Sequence, residues 1–248
     1  MYLFCVPVYN EAPTIGLLLW RLRKVFQEFS REYEVIVFDD GSTDGTRDRL
    51  TPYTEVLPLT LLGGDKRVGY AGALNALCIA ASRRTRYPRR DAMVVLQGDF
   101  TDQPEHLPEL VKRFEGGADL VIGERATSAT DPSPVRRLNR IAPWVIRPFV
   151  SVPGVSDPFS SLRLFRIAVV RDMLRESGDA PLLSRDGWAA NLELLVRASD
   201  HARRIETVTL ERRYDLRPRA SRVRPLADAM NIYRYGLAAK ASRESVTS

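Results

Sequence analysis

The stretch YEVIVFDDGSTDGT, from Tyr33 to Thr46, determines the predicted fold because a short apolar run ends abruptly in carboxylates. Its first half has the length and the β-branched character of a buried strand. Asp39 and Asp40 follow at once, and Gly41 begins a run of turn-forming residues. A buried strand that ends on two acids indicates a sheet with polar side chains at its strand ends.

The same pattern recurs along residues 1–125. Strands are predicted at YLFCVPVYN (2–10), LTLLG (59–63), DAMVVLQGD (91–99) and ADLVIGER (118–125), and helical periodicity lies between them. Alternating helices and continuously apolar strands are typical of a parallel sheet that is covered on both faces. The predicted fold class is therefore α/β, with a mostly parallel sheet. Beyond residue 125, SLRLF (161–165) and RIETVTLERRY (204–214) predict further strands, and DGWAANLELLVRAS (186–199) predicts a helix.

Polar side chains end the predicted strands and should meet on one edge, because parallel sheets bind ligands at the carboxyl ends of their strands. Asp99 suits a hard divalent cation that shares its ligands with phosphate oxygens. Asp39 and Asp40 suit ribose hydroxyls or base N–H groups, and Arg125 suits a phosphate. The combination predicts a nucleotide diphosphate that carries a group to be transferred.

Composition limits the alternatives. The chain has 248 residues, of which 44% are hydrophobic and 27% charged, which fits one large α/β domain. The net charge is +6, and eight arginines face three acids between Arg203 and Arg224. That segment favours a phosphate-bearing ligand or anionic lipid, although a solvated basic face stays open. Few aromatic residues interleave with the arginines and the sheet edge is acidic, so we do not expect a nucleic-acid partner.

Cysteine and hydropathy patterns predict the cellular location. Cys5 and Cys78 lie in apolar runs, as expected for buried thiols in a reducing compartment. We see no signal peptide and no transmembrane span, so we expect a cytoplasmic protein. The apolar stretch 141–155 and the amphipathic segment 225–248 suit peripheral contact with a membrane surface. Alternatively, both are buried against the sheet or in a homodimer.

Six stretches in order resemble the signatures of family-2 glycosyltransferases, above all the polyprenyl-phosphate branch that includes dolichyl-phosphate mannosyltransferase. They are VPVYNEAPTI (6–15), VIVFDDGSTDGT (35–46), GYAGALNAL (69–77), VVLQGDFTDQPEHLPEL (94–110), LVIGER (120–125) and DPFSSLRLFR (157–166). The resemblance implies a single GT-A domain over residues 1–248. Residues 1–125 would bind the nucleotide sugar, 126–224 would form the acceptor side and a closing loop, and 225–248 a C-terminal amphipathic helix.

The resemblance also implies an inverting transfer from a GDP- or UDP-sugar, with Mg²⁺ or Mn²⁺ as cofactor. By position, Pro7, Tyr9 and Glu11 would line the base pocket, and Asp39, beside Asp40, would hold the base or ribose. Gly98 and Asp99 would end the metal-binding Asp-x-Asp element, Arg125 would meet the diphosphate, and Asp157 would lie near the reactive centre. The loop RPRASR would close over the diphosphate through Arg217, Arg219 and Arg222.

Gln97 departs from the family pattern, which has aspartate at this position. An amide oxygen can ligate a cation but carries no formal charge, so we expect weaker metal binding that depends on the donor phosphates. Alternatively, Asp102 compensates for the missing charge, or the site relies on its arginines and needs little metal. Three further alternatives remain open from the sequence. Asp99 could cap the helix that begins near Pro104, Asp157 could only initiate a turn, and the chain could bind nucleotide sugars without catalysis. The acceptor is predicted to be a polyprenyl phosphate, or else a hydroxyl of a soluble molecule with Asp157 as the base.

Overall fold

A computed structural model describes residues 1–125 and 152–210, which form one seven-stranded sheet with helices on both faces. The strands are β1 (Tyr2–Val8), β2 (Tyr33–Asp40), β3 (Leu59–Gly64), β4 (Ala92–Val95), β5 (Leu120–Arg125), β6 (Arg163–Arg166) and β7 (Ile205–Leu210). The helices are α1 (Ile15–Glu28), α2 (Thr46–Leu50), α3 (Tyr53–Val56), α4 (Gly69–Arg84), α5 (Leu107–Glu115), α6 (Ile167–Ser177) and α7 (Trp188–His201), and a 3₁₀ turn spans Pro104–His106.

The strand order is β3-β2-β1-β4-β6-β5-β7. The first four of these strands are parallel, β6 runs antiparallel to both β4 and β5, and β7 pairs in parallel with β5. The predicted mostly parallel sheet is confirmed, and so is the strand predicted at SLRLF, which is β6. Because β6 reverses direction, β5 again runs parallel to β4, so its carboxyl end lies on the same edge of the sheet.

Two apolar layers cover the sheet. Side chains of β1 and β2 alternate between them: Phe4 and Val35 face the layer of α1 and α5, whereas Cys5 and Ile36 face the layer of α4, α6 and α7. Burial of both faces explains the continuous apolar strands. Cys5 and Cys78 are buried free thiols, as predicted.

Gly63 shows how closely the strands meet at the carboxyl edge. It has a φ of +81°, and a Cβ atom there would lie 2.1 Å from the backbone oxygen of Asp39. Only glycine allows β3 to end this close to the end of β2. The position of Asp39 therefore depends on the glycine beside it.

No helix of the described ranges is long and apolar enough to cross a membrane. Most of the apolar stretch 141–155 and all of the segment 225–248 lie outside the described residues. Membrane contact through these two segments stays a prediction.

We predict that Gly63→Ala lowers the free energy of unfolding by at least about 2 kcal/mol, because it adds both a left-handed backbone conformation and a steric clash. Gly64→Ala is the matched control, since a Cβ atom there meets nothing within 4 Å. It should change stability by no more than about 0.5 kcal/mol. Equal denaturant midpoints for the two variants would show that the β2–β3 contact is looser than described.

Candidate functional site

The loops after β1 and β2 are joined by hydrogen bonds. The amide of Asn10 donates to Oγ of Ser42 at 2.9 Å, and the amide of Thr43 donates to Oδ1 of Asn10 at 2.7 Å. The amide of Glu11 donates to Oγ1 of Thr46 at 2.8 Å. Two motifs that are separate in sequence thus form one surface at the edge of the sheet.

Asp44 strengthens this junction. Its carboxylate accepts hydrogen bonds from the amide of Ala12 at 3.1 Å and from the amide of Thr46 at 3.0 Å. Burial acts to raise the pKa of Asp44, but the hydrogen bonds from Thr46 and Ala12 outweigh burial and leave the pKa below its ordinary value. The group is therefore an anion at neutral pH and keeps its acceptor role.

Asp39 and Tyr9, both predicted to hold the nucleoside, lie on this surface with arginines beside them. Oδ1 of Asp39 accepts the amide of Ser42 at 3.1 Å, and Nη1 of Arg47 lies 3.7 Å from Oδ2. The guanidinium of Arg67 stacks over the Tyr9 ring at 3.9 Å from its centroid. An aromatic face, a buried carboxylate and two cations suit a nucleotide.

Asp40 has a different environment from Asp39. Its Oδ1 accepts the amides of Val68 at 2.5 Å and of Gly69 at 3.1 Å, at the beginning of α4. Nε of Arg67 lies 3.5 Å from Oδ2. Asp40 thus positions α4, and its predicted contact with the nucleotide stays a prediction.

The end of β4 packs tightly against the end of β1. A Cβ atom at Gly98 would lie 2.7 Å from Cγ1 of Val8, so this position has no room for a side chain. Oγ1 of Thr14 donates to the backbone oxygen of Gly98 at 2.8 Å and lies 3.4 Å from Oε2 of Glu11. These contacts bring Glu11, which is 5% exposed, to the strand end that carries Asp99.

Asp99 is 8% exposed and begins a tight turn. Its Oδ1 accepts the backbone amide of Thr101 at 3.1 Å and the Thr101 hydroxyl at 2.6 Å. Phe100 between them has a φ of +63°, which is strained for a bulky side chain. The turn therefore holds the carboxylate at the strand end instead of at the N-terminus of α5.

Gln97 points toward α4. Its Nε2 donates to the hydroxyl of Tyr70 at 2.8 Å, and this hydroxyl donates to Oδ1 of Asn191 on α7 at 2.9 Å. Gln97 is thus connected, through Tyr70 and Asn191, to the layer of α4, α6 and α7.

Asp157 is held on the same edge by Glu124, near the end of β5. The Glu124 carboxylate accepts the amide and the hydroxyl of Ser156, each at 2.6 Å, and the amide of Asp157 at 3.3 Å. Oδ1 of Asp157 accepts the amide of Phe159 at 3.2 Å, so Asp157 does initiate a turn. Its predicted place near the reactive centre stays a prediction.

The side chains present fit a cation only in part. Within residues 1–125 and 152–210, no group of three or more His, Cys, Asp or Glu side chains is arranged to hold a metal. Asp99 supplies a carboxylate and Gln97 an amide oxygen. A hard cation that draws its other ligands from water and from substrate phosphates suits such a pair. The donor set fits Mg²⁺ or Mn²⁺ bound together with a diphosphate.

The structure gathers most of the predicted site residues at one edge, where β1, β2 and β4 end. They are Pro7, Tyr9, Glu11, Asp39, Asp40, Gln97, Gly98 and Asp99. Arg125 ends β5 on this edge, but its side chain lies outside the described part of the chain, as do Arg217, Arg219 and Arg222. Three residues near this edge, Arg67, Tyr70 and Asn191, are not predicted from the sequence. The position of Tyr70 in the glycine-flanked motif GYAG was the available signal.

Comparison with known proteins identifies the relatives of this arrangement. The family model "Glycosyl transferase family 2" matches residues 3–174. The chain is 27% identical over 203 residues to undecaprenyl-phosphate 4-deoxy-4-formamido-L-arabinose transferase of Edwardsiella ictaluri, covering 79% of this chain and 59% of that protein. It is 28% identical over 172 residues to bactoprenol glucosyl transferase of Shigella phage SfV, covering 68% and 52%. The chain thus spans little more than half the length of these relatives.

Solved structures share the fold. Glucosyl-3-phosphoglycerate synthase of Mycobacterium tuberculosis, in complex with Mn²⁺, UDP and phosphoglyceric acid, superposes with a TM-score of 0.65 at 22% identity, covering 98% of this chain and 78% of that one. S. aureus TarS 1–349 with UDP-GlcNAc gives a TM-score of 0.63 at 19% identity, covering 96% and 66%. These likenesses confirm the predicted GT-A fold.

We predict that Glu124→Ala speeds hydrogen exchange at the amides of residues 156 and 157 by at least about tenfold, because a hydrogen bond to a charged acceptor contributes roughly 1.5–3 kcal/mol. Glu193→Ala is the matched control. Its carboxylate is 3% exposed and accepts the amides of Ser184 at 2.9 Å and Arg185 at 3.1 Å.

Each variant should affect only its own loop. If Glu124→Ala leaves exchange at residues 156 and 157 unchanged, Glu124 does not position Asp157.

Proposed function

The chain belongs to glycosyl transferase family 2, and we propose that it is an inverting glycosyltransferase that moves a sugar from a nucleotide-diphosphate donor to a polyprenyl phosphate. The observation that carries the proposal is the edge where Tyr9, Asp39 and Asp99 meet at the ends of β1, β2 and β4. Parallel α/β sheets bind their ligands at such an edge.

The donor would bind in two parts. Tyr9, Glu11 and Asp39 would hold the nucleoside, since they combine an aromatic face with buried carboxylates. The diphosphate would lie near Asp99 and Gln97, with Arg125 as a further contact. Bound there, Mg²⁺ or Mn²⁺ would neutralise the charge that develops on the departing diphosphate.

The proposed reaction is a single displacement at the anomeric carbon. An acceptor oxygen forms a bond to this carbon from the face opposite the diphosphate. The bond between the carbon and the diphosphate oxygen breaks, and the nucleoside diphosphate leaves with the electron pair. A phosphate acceptor is already ionised, so the step needs no general base.

Two relatives support the lipid acceptor, because their names specify transfer to undecaprenyl phosphate and to bactoprenol. Membrane contact through segments 141–155 and 225–248 would bring the edge of the sheet to such a lipid. Co-sedimentation with anionic liposomes at low salt tests this contact, and protein that stays in the supernatant would argue against it. Closure of the loop that contains Arg217, Arg219 and Arg222 would exclude water from the donor.

We predict that the protein transfers sugar from a UDP- or GDP-sugar to a polyprenyl phosphate and that Asp99→Asn reduces this transfer by at least about 100-fold. The substitution removes the charge of the Asp99 carboxylate, and a missing electrostatic contact costs about this much in rate. Mass spectrometry of the lipid product and NMR of its anomeric configuration are the measurements.

The melting temperature of Asp99→Asn should stay near that of the wild type, which separates loss of chemistry from loss of fold. Binding of a nucleotide sugar without transfer to any acceptor would identify the chain as an inactive binding protein. Retained activity in Asp99→Asn would remove Asp99 from the site.

We further predict that Asp157→Asn distinguishes the two acceptor classes. Transfer to an ionised phosphate should fall by less than about tenfold, whereas transfer to a hydroxyl should fall by about 10²–10⁴, the usual contribution of a general base. Competition assays with polyprenyl phosphate and with soluble sugars measure both rates. A large loss with a hydroxyl acceptor, combined with no turnover of the lipid, would favour the soluble-acceptor alternative.

A further inference from the structure

Hydrogen bonds among three side chains connect the loop after β4 with the layer of α4 and α7. Nε2 of Gln97 lies 2.8 Å from the hydroxyl of Tyr70, and this hydroxyl lies 2.9 Å from Oδ1 of Asn191. Tyr70 is the second residue of α4, and Asn191, which is 7% exposed, lies in the first turn of α7. Side chains from the loop after β4, from α4 and from α7 therefore meet at this point.

Asn191 sets the direction of the hydrogen bonds among these three side chains. Nδ2 of Asn191 donates to the backbone oxygen of Phe159 at 3.5 Å, and a carbonyl oxygen can only accept. Oδ1 of Asn191 therefore faces Tyr70 and takes its single hydroxyl proton. The remaining role of the Tyr70 oxygen is to accept Nε2 of Gln97.

The amide of Gln97 is thereby fixed in one of its two orientations. With Nε2 held by Tyr70, the carbonyl oxygen Oε1 diverges from Tyr70 and is the atom left to ligate a cation. A carboxylate at position 97 would have no N–H group to donate to Tyr70. Tyr70 would then have to give its proton either to position 97 or to Asn191, and one hydrogen bond would be lost. This network accounts for an amide where the family has aspartate.

We propose that Tyr70 and Asn191 are positioning residues that orient Gln97 as a neutral oxygen ligand, so that the site takes up its cation as a complex with a nucleoside diphosphate. Asp99 and Gln97 together carry one formal charge less than a pair of aspartates, which weakens the binding of a free divalent ion in competition with water. The diphosphate supplies the missing charge and oxygen ligands. The inference rests on the proposed donor site.

The test compares Tyr70→Phe with Tyr2→Phe. Each variant removes one tyrosine hydroxyl. Tyr70→Phe loses the bonds to Gln97 and Asn191. Tyr2→Phe loses the bond to Oε1 of Glu115 at 3.0 Å, at the opposite end of the sheet. Titration calorimetry measures the affinity for UDP and for GDP with and without Mn²⁺, and the affinity for Mn²⁺ alone. This readout is independent of transfer activity.

We expect Mn²⁺ to bind the wild type weakly alone and to raise the affinity for one nucleoside diphosphate. Tyr70→Phe should reduce this enhancement by about 10–100-fold, the usual effect of losing a partner of a metal ligand, without changing the metal-free affinity. Tyr2→Phe should behave as the wild type. Gln97→Glu, which keeps the side-chain length and adds a charge, should bind Mn²⁺ alone more tightly than the wild type.

Full enhancement in Tyr70→Phe would overturn the positioning role while leaving the proposed function intact. Tight binding of Mn²⁺ to the wild type without nucleotide would overturn the joint uptake. If neither nucleoside diphosphate binds the wild type under any condition, the proposed function fails and this inference fails with it.

Discussion

Parallel pairing of β1 with both β2 and β4 is the constraint on which the site depends. Because these three strands run in the same direction, their polar ends meet on one edge, although the motifs are far apart in sequence. Gly63 and Gly98 allow the strand ends to approach where a Cβ atom would collide. The hydrogen bonds of Asn10 and Asp44 then fix the loops relative to each other.

Most carboxylates at this edge have a structural partner. Asp40 accepts the first amides of α4, Glu124 accepts those of residues 156 and 157, and Asp99 accepts that of Thr101. Such bonds hold each side chain in one orientation before any ligand arrives. A preorganised site loses less entropy on binding and reorganises less during reaction. The same residues therefore shape the edge and, in the proposed function, provide its chemistry.

The sequence predicted those features that depend on local pattern. Continuous apolar runs predicted the parallel strands, and the ordered motifs predicted which polar residues meet. The antiparallel direction of β6 was not predictable, because a four-residue strand carries no signal of its direction. The role of Gln97 was only half predicted. Its missing charge is evident in the sequence, but its bond to Tyr70 depends on how α4 packs on the sheet, and Asn191 is 94 positions further along the chain.

A crystal structure with a nucleoside diphosphate and Mn²⁺ tests the central claim most directly, because it locates the diphosphate. We predict the base beside Tyr9 and Asp39, and the diphosphate with its cation beside the Asp99 carboxylate. A diphosphate bound elsewhere, such as in the cavity lined by Arg83 and Pro181, with Asp99 bonded only to Thr101, would contradict it.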